Sequence, residues 1–212
     1  MSQLILNKQA TAPSSPSVGK GSVYVDNSTY PNLRVKSELG LDKNVAYITN
    51  YSVVAQSPTT AVRTYIAGSA IPVPVSKLQV GSSFRWVFNI TKTAAGISAS
   101  TFDVCFGTAG TTADVARISF TKPAGTAVVD EGKVTIEATI RTIGATGVAV
   151  GEFTLIHNGN TAGHAIIPVV NVNTISAGFD MTVASLIAGV CITSGALDII
   201  TIQMVQSEGW NL

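Results

Sequence analysis

The sequence predicts an all-β chain. Residues 45–212 form a β-sandwich, jelly-roll-like, and residues 1–44 form an extended N-terminal arm carrying a small hairpin. Three observations predict this. Apolar and polar residues alternate in short runs, the period of strands buried on one face. Gly, Pro, Asn and Asp gather between those runs, where tight turns require them. No window carries an amphipathic helix with caps.

The arm comes first in the chain. Ala10 to Ser22 is rich in Pro, Ser, Thr and Gly, with Pro13, Pro16, Gly19 and Gly21, and has too little apolar surface for a core. Val23-Tyr24-Val25 and Leu33-Arg34-Val35 are short alternating runs, and Asp26 to Asn32 between them reads as a long hairpin loop. A two-stranded hairpin is marginal in water. It needs its own domain or a partner to pack on, which makes residues 1–44 a candidate attachment arm.

The strands expected beyond it are Val45–Val54, Arg63–Ile66, Phe84–Thr91, Thr101–Phe106, Val115–Thr121, Lys133–Thr142, Val148–His157, Ala165–Asn173, Ser185–Thr193 and Ile199–Val205. Alternation is clearest in the sixth. There Val134, Ile136, Ala138 and Ile140 share one face, and Lys133, Thr135, Glu137, Thr139 and Arg141 share the other. Gly107/Gly110, Pro123/Gly125, Gly144/Gly147, Gly159/Gly163 and Gly195 punctuate the gaps. Eight to ten short strands at this spacing indicate two packed sheets, with the strand order left open.

Charge narrows the function. Only 12% of the residues are charged, about half the usual share, and the net charge is +1. That gives no general attraction for nucleic acid or acidic membranes. All 13 Lys and Arg lie at or before Arg141, and the 71 residues after it hold only Glu152, Asp180, Asp198 and Glu208. Such a stretch is either a quirk of composition or a face covered by another subunit, because interface cores are poor in charge. The 17 uncharged residues from Met181 to Leu197 approach the length of a membrane span. Ser185, Thr193, Ser194 and Gly195 interrupt them, so two adjacent buried strands are expected instead. The N-terminus, with an apolar run of three and no basic start, does not read as a secretory signal.

Catalytic and metal chemistry find little purchase. His157 and His164 are the only histidines, and a metal site would need both with Asp180. Their spacing fits no zinc signature, so a polar loop between strands is the expectation. No Gly-x-Ser-x-Gly elbow occurs. Gly107-Thr108-Ala109-Gly110-Thr111 has the glycines of a phosphate loop without its Lys, and reads as a hairpin turn. The nearest carboxylate pairs are Asp103/Asp114 and Asp130/Glu131, the latter expected as exposed acids at a turn before Gly132. Trp86 and Trp210 could stack on sugars, although a lone Trp in Phe84-Arg85-Trp86-Val87-Phe88 fits a core better. Cys105 and Cys191, both in apolar runs, are expected as buried free thiols with no disulfide framework. No catalytic, cofactor-binding or metal-binding residue is therefore assigned, and the chain is expected to be a structural module rather than an enzyme.

Two segments resemble structural proteins of tailed-bacteriophage virions. Pro13 to Asp26 with Leu33 to Gly40 is similar to the Pro/Gly leader and small hairpin of phage fibre and decoration proteins. Leu78 to Gly81, Lys92 to Gly96, Arg141 to Gly144 and Ile199 to Gln203 are similar to a β-sandwich module of phage head or tail surface proteins. The resemblance implies a capsid decoration, cement or head-fibre protein at the virion surface, made in the host cytoplasm. Its implied partners are two further copies of itself, as a homotrimer, and the major capsid protein or another virion protein. Neither nucleic acid, membrane nor cofactor is implied. The alternative is a tail-fibre or receptor-binding module that recognises host glycans.

Overall fold

Fifteen strands and no helix form among the described residues of the computed structural model, which are 8–9, 14, 22–26, 33–36, 42–44, 48–58, 61–73, 78–158, 162–164, 169–183, 185–195 and 200–212. The first four strands are β1 (Lys8–Gln9), β2 (Ser22–Asp26), β3 (Leu33–Lys36) and β4 (Asp42–Asn44). They make one small sheet in that order, and they pair only with one another among the described residues. The expected hairpin is present in it, since Val23 lies opposite Val35 and Val25 opposite Leu33. β1, parallel to β2, and β4, antiparallel to β3, widen the hairpin on either side. Their two and three residues were too short to register as periodic runs.

The remaining strands form two sheets packed as a β-sandwich. They are β5 (Ile48–Ser52), β6 (Thr64–Tyr65), β7 (Ile71–Pro72), β8 (Ser83–Lys92), β9 (Ser100–Gly107), β10 (Ala116–Lys122), β11 (Asp130–Thr142), β12 (Val148–His157), β13 (Val169–Ile175), β14 (Ile187–Thr193) and β15 (Ile200–Trp210). One sheet has six strands, in the order β13-β12-β11-β8-β15-β5. The other runs β10-β9-β14-β6, with β7 also paired to β14. Pairing is antiparallel throughout both. Long-range pairs are nested, β5 with β15 and β6 and β7 with β14, which is the wrapping a jelly-roll-like arrangement requires.

Alternation sends one face of each strand inward, and aromatic residues bridge the layers. Phe84 of β8 meets Phe106 of β9 edge-on at 5.3 Å, and Phe153 of β12 stands between Phe102 and Phe120 at 5.2 and 5.7 Å. Such pairs add about 1 kcal/mol each beyond the area they bury. Trp86 stacks on Phe84 and donates its indole N–H to the Ser69 carbonyl at 2.7 Å. Gly151 leaves room for this packing, because a β-carbon there would press on Ile118 and Phe120.

All ten expected strands occur; Val148–His157 has the expected ends, others are shifted, and the expected strand residues 45–47, 165–168 and 199 lie outside the described residues. β15 runs five residues beyond the expected Val205. A bulge at Gln203 resets its alternation, and the inward residues that follow include Ser207 and Gly209, so the apolar period is lost there. The apolar stretch Met181–Leu197 holds a single described strand, β14. The strands flanking Gly195, β14 and β15, lie in opposite sheets rather than side by side. No helix long and apolar enough to cross a membrane is found among the described residues. Much of the missing positive charge after Arg141 follows from burial, because β14 and β15 are interior strands and Ala188 to Ile192 are all buried.

Candidate functional site

The outer face of the six-stranded sheet is the wet face that β11 predicted. Across its middle run Glu152, Glu137, Arg85 and Glu208 in one register row, with Arg85 Nε 3.3 Å from Glu137 Oε1. Toward one end of the sheet the face dips into a groove of about 500 Å³. Its floor is the backbone row His157–Gly132–Ile90, three residues directly opposite one another on β12, β11 and β8. Because those three turn inward, the outward side chains on either side stand up as walls: Ile156 and Asn89 on one, Asn158, Glu131 and Thr91 on the other. Gln203 closes the end. The bulge in β15 places it on this face, and its amide donates to Thr91 Oγ1 at 3.0 Å. Two primary amides, a further amide over a hydroxyl, one carboxylate and one aliphatic side chain suit an uncharged, polyhydroxylated ligand.

Beneath the floor lies a buried polar plug. Lys92, Lys122, Asp130 and His157 continue the inward register of β8, β10, β11 and β12 at the same end of the sandwich. Lys122, with no exposed surface, donates to the carbonyls of Pro123 and His164, and Lys92 donates to those of Thr93, Thr126 and Val128. Asp130 Oδ2 accepts from His157 Nδ1 at 2.7 Å and from the His164 backbone N–H at 2.8 Å. Burial pushes the Asp130 carboxyl up, but these bonds and one from the Glu131 N–H outweigh it and hold the group below its ordinary value. The His164 ring is buried, and neither nitrogen has a hydrogen-bond partner among the described residues. Burial, then the nearby Lys122 charge, push it down to about 4. The plug closes the end of the core while satisfying the loop carbonyls that cross it.

These positions revise several expectations. Asp130 is not an exposed turn acid, whereas Glu131 is exposed as expected but is a strand residue. They open β11, and alternation turns Asp130 inward to the histidines while Glu131 faces the groove. The carboxylate beside the histidines is thus Asp130 rather than Asp180, which is exposed and bonded to Thr182. No group of three or more potential metal ligands occurs among the described residues. Trp86 is fully buried and unavailable to a sugar. Trp210 is 37% exposed but sits seven residues along β15 from Gln203, roughly 23 Å from the groove. The 107–111 segment ends β9 and begins its connection to the paired strand β10, as expected of a hairpin turn.

The second sheet carries a different cluster on its outer face. Arg63 Nε donates to Asp103 Oδ2 at 3.0 Å, Nη1 donates to the carbonyls of Thr112 and Asp114, and Nη2 lies 2.9 Å from Cys105 Sγ. Asp103 also accepts from Ser119 at 2.7 Å, and Asp114 accepts from the N–H groups of Ala109 and Gly110. Both carboxylates are thus committed to holding backbone and strands, not paired across a cleft. Cys105 and Cys191 are buried free thiols, as expected, but they are neighbours, with Sγ atoms 3.7 Å apart.

No protein-family model and no curated protein matches the sequence. Among solved structures, the CBM2 module of the evolved Dit of Lactobacillus casei BL23 phage J-1 aligns with 79% of this chain and 91% of its own, at 11% identity and a TM-score of 0.33. A fructofuranosidase from Schwanniomyces occidentalis complexed with fructose aligns with 91% of this chain and 40% of its own, at 9% identity and a TM-score of 0.24.

Proposed function

We propose that the chain is a virion structural protein of the capsid decoration, cement or head-fibre type, attached through residues 1–44 and trimerising through its β-sandwich. The observation that carries this reading is the small sheet β1–β4. Its strands have two to five residues and share no pairing with the sandwich among the described residues. A sheet so small gains little by folding alone and gains most by ordering on a surface, here the major capsid protein or another virion protein. The sequence resemblance to phage leader and hairpin segments supports the same reading. Trimerisation is supported by β5, an edge strand among the described residues, and its extension, where Tyr51, Val53 and Val54 are each about 70% exposed.

Deleting residues 1–44 tests the attachment. The truncated protein is expected to stay folded and to lose binding to virions that lack the protein, in a co-sedimentation assay. Undiminished binding overturns the reading. In the same preparations, analytical ultracentrifugation should give the mass of three chains, and a monomer at high concentration removes the trimer from it.

A second reading is favoured by the groove: a receptor-binding module for host glycans. Its amide and hydroxyl walls, rather than Trp86, would contact the sugar. A glycan array should then show binding that Gln203→Ala and Asn89→Ala each weaken about tenfold, the loss of one good hydrogen bond. A blank array, or binding untouched by both changes, removes this reading.

A further inference from the structure

We propose that Cys105 and Cys191 form a dithiol site that hydroperoxides convert to an intramolecular disulfide joining β9 to β14. The two thiols are 86 residues apart in sequence and are the only cysteines in the chain, yet their sulfurs lie 3.7 Å apart. They occupy a diagonal across one strand pair, since Cys105 faces Gly189 and Cys191 faces Asp103. Both belong to the outward register of the second sheet, while the alternate residues Phe102, Val104, Phe106, Val190 and Ile192 fill the core. The pair is therefore covered by one layer of side chains and not by the opposite sheet.

That layer is Arg63 and Tyr65. Arg63 places a guanidinium nitrogen 2.9 Å from Cys105 Sγ and is itself partly exposed. Tyr65 is opposite Cys191 and lies over Gly189, where any β-carbon would collide with its phenol oxygen. A side chain that swings from a solvent-exposed position opens the site to a small oxidant without unfolding either sheet. Cys105 Sγ lies within donor reach of Cys191 Sγ, at 3.7 Å, and of the Asp103 carbonyl, at 3.6 Å; its contact with Cys191 and the Arg63 charge lower the Cys191 thiol below its ordinary value against the opposing effect of burial. Cys105, the donor in that contact, is pushed up by it and by burial. We assign the attack to Cys191 and the resolving step to Cys105, an order that trapping in Cys105→Ser tests.

The chemistry balances in two steps. The Cys191 thiolate attacks one oxygen of the hydroperoxide, the O–O bond breaks, and the second oxygen leaves as hydroxide or alkoxide, giving a sulfenic acid at Cys191. The Cys105 sulfur then attacks the Cys191 sulfur. The S–O bond breaks, the Cys105 proton leaves with the hydroxyl group as water, and the disulfide forms. Two electrons pass from the thiols to the peroxide. Bond formation requires the sulfurs to close from 3.7 Å to about 2.05 Å, within reach of χ1 rotation and a small strand shift.

The test uses the full chain, reduced with a phosphine, desalted and exposed to hydrogen peroxide. After quenching, the protein is unfolded in urea, alkylated and weighed by mass spectrometry. The expected product is a monomeric chain lighter by two hydrogens, with no alkylatable thiol and one cross-linked peptide containing Cys105 and Cys191. In Cys105→Ser the disulfide should be lost and a diketone reagent should trap sulfenic acid at Cys191. Two thiols still alkylatable after treatment overturn the proposal, with urea-unfolded chain as the positive control for oxidation. So do sulfinic acid at either cysteine of the unaltered chain without cross-linking, or cross-links only between chains.

Discussion

The N-terminal sheet and the sandwich draw on the same residue types and differ in how much they can cover. In the sandwich, β8 to β15, of seven to thirteen residues, present one alternate set of side chains to an opposing sheet, and Phe84, Phe102, Phe106, Phe120 and Phe153 interlock there. In the small sheet the longest strand has five residues, and Val23 keeps half of its surface exposed. Both have hydrogen-bonded strands. Among the described residues only the sandwich has a second sheet packed on the first, and burial between layers is the larger source of stability. The lesson is that pairing defines a sheet while layering makes it a domain, and this contrast underlies the attachment role we propose for the small sheet.

Three interventions probe that contrast, the largest effect first. Trp86→Ala removes a fully buried ring, its stacking on Phe84 and its bond to Ser69. It should cost about 3–5 kcal/mol, read as a lower midpoint in guanidinium unfolding. A change within about 0.5 kcal/mol would show that the sandwich core is not where stability resides.

Acid comes next, acting through the polar plug. The neutral His164 ring, at about 4 in the fold against 6.5 ordinarily, faces Asp130, His157, Lys92 and Lys122. Between those values the unfolded chain binds a proton that the folded chain does not. Stability contributed by the neutral ring is therefore present above pH 6.5 and falls by about 3 kcal/mol as the pH drops through that window. Asp130, held below its ordinary 3.8, adds a further loss at lower pH. Unfolding free energies at pH 7, 5.5 and 4.5 check this, and His164→Leu should flatten the slope across the window. The smallest effect is the deletion of residues 1–44, which should leave the sandwich's unfolding midpoint unchanged within error while abolishing attachment.

Much of the sandwich was legible because period-two alternation is local. Lys133 to Arg141 shows both faces of β11 in nine residues, and the same rule, carried to strand ends, would have turned Lys92, Lys122, Asp130 and His157 inward. It was not carried there because charged residues beside turns are ordinarily solvated. The groove was less accessible. Its walls alternate correctly on β8 and β11, yet its shape depends on Gln203, and a bulge leaves no mark in sequence beyond a broken period. Trp86 and Trp210 drew attention as sugar platforms by residue type alone, and depth within the layers separates them.

The sequence by itself determined the class of structure, the approximate strands, the hairpin within the N-terminal segment and the poverty of charge. These depend on neighbours within a few residues, where alternation and turn chemistry act. Tertiary structure alone decided which strands share a sheet, that β14 and β15 part company at Gly195, that Asp130 serves the histidines, and that Cys105 meets Cys191. Those outcomes depend on register between segments as far apart in sequence as Ile48 and Gly209. Register is settled by the packing of whole faces, and no local pattern records which face a strand will find.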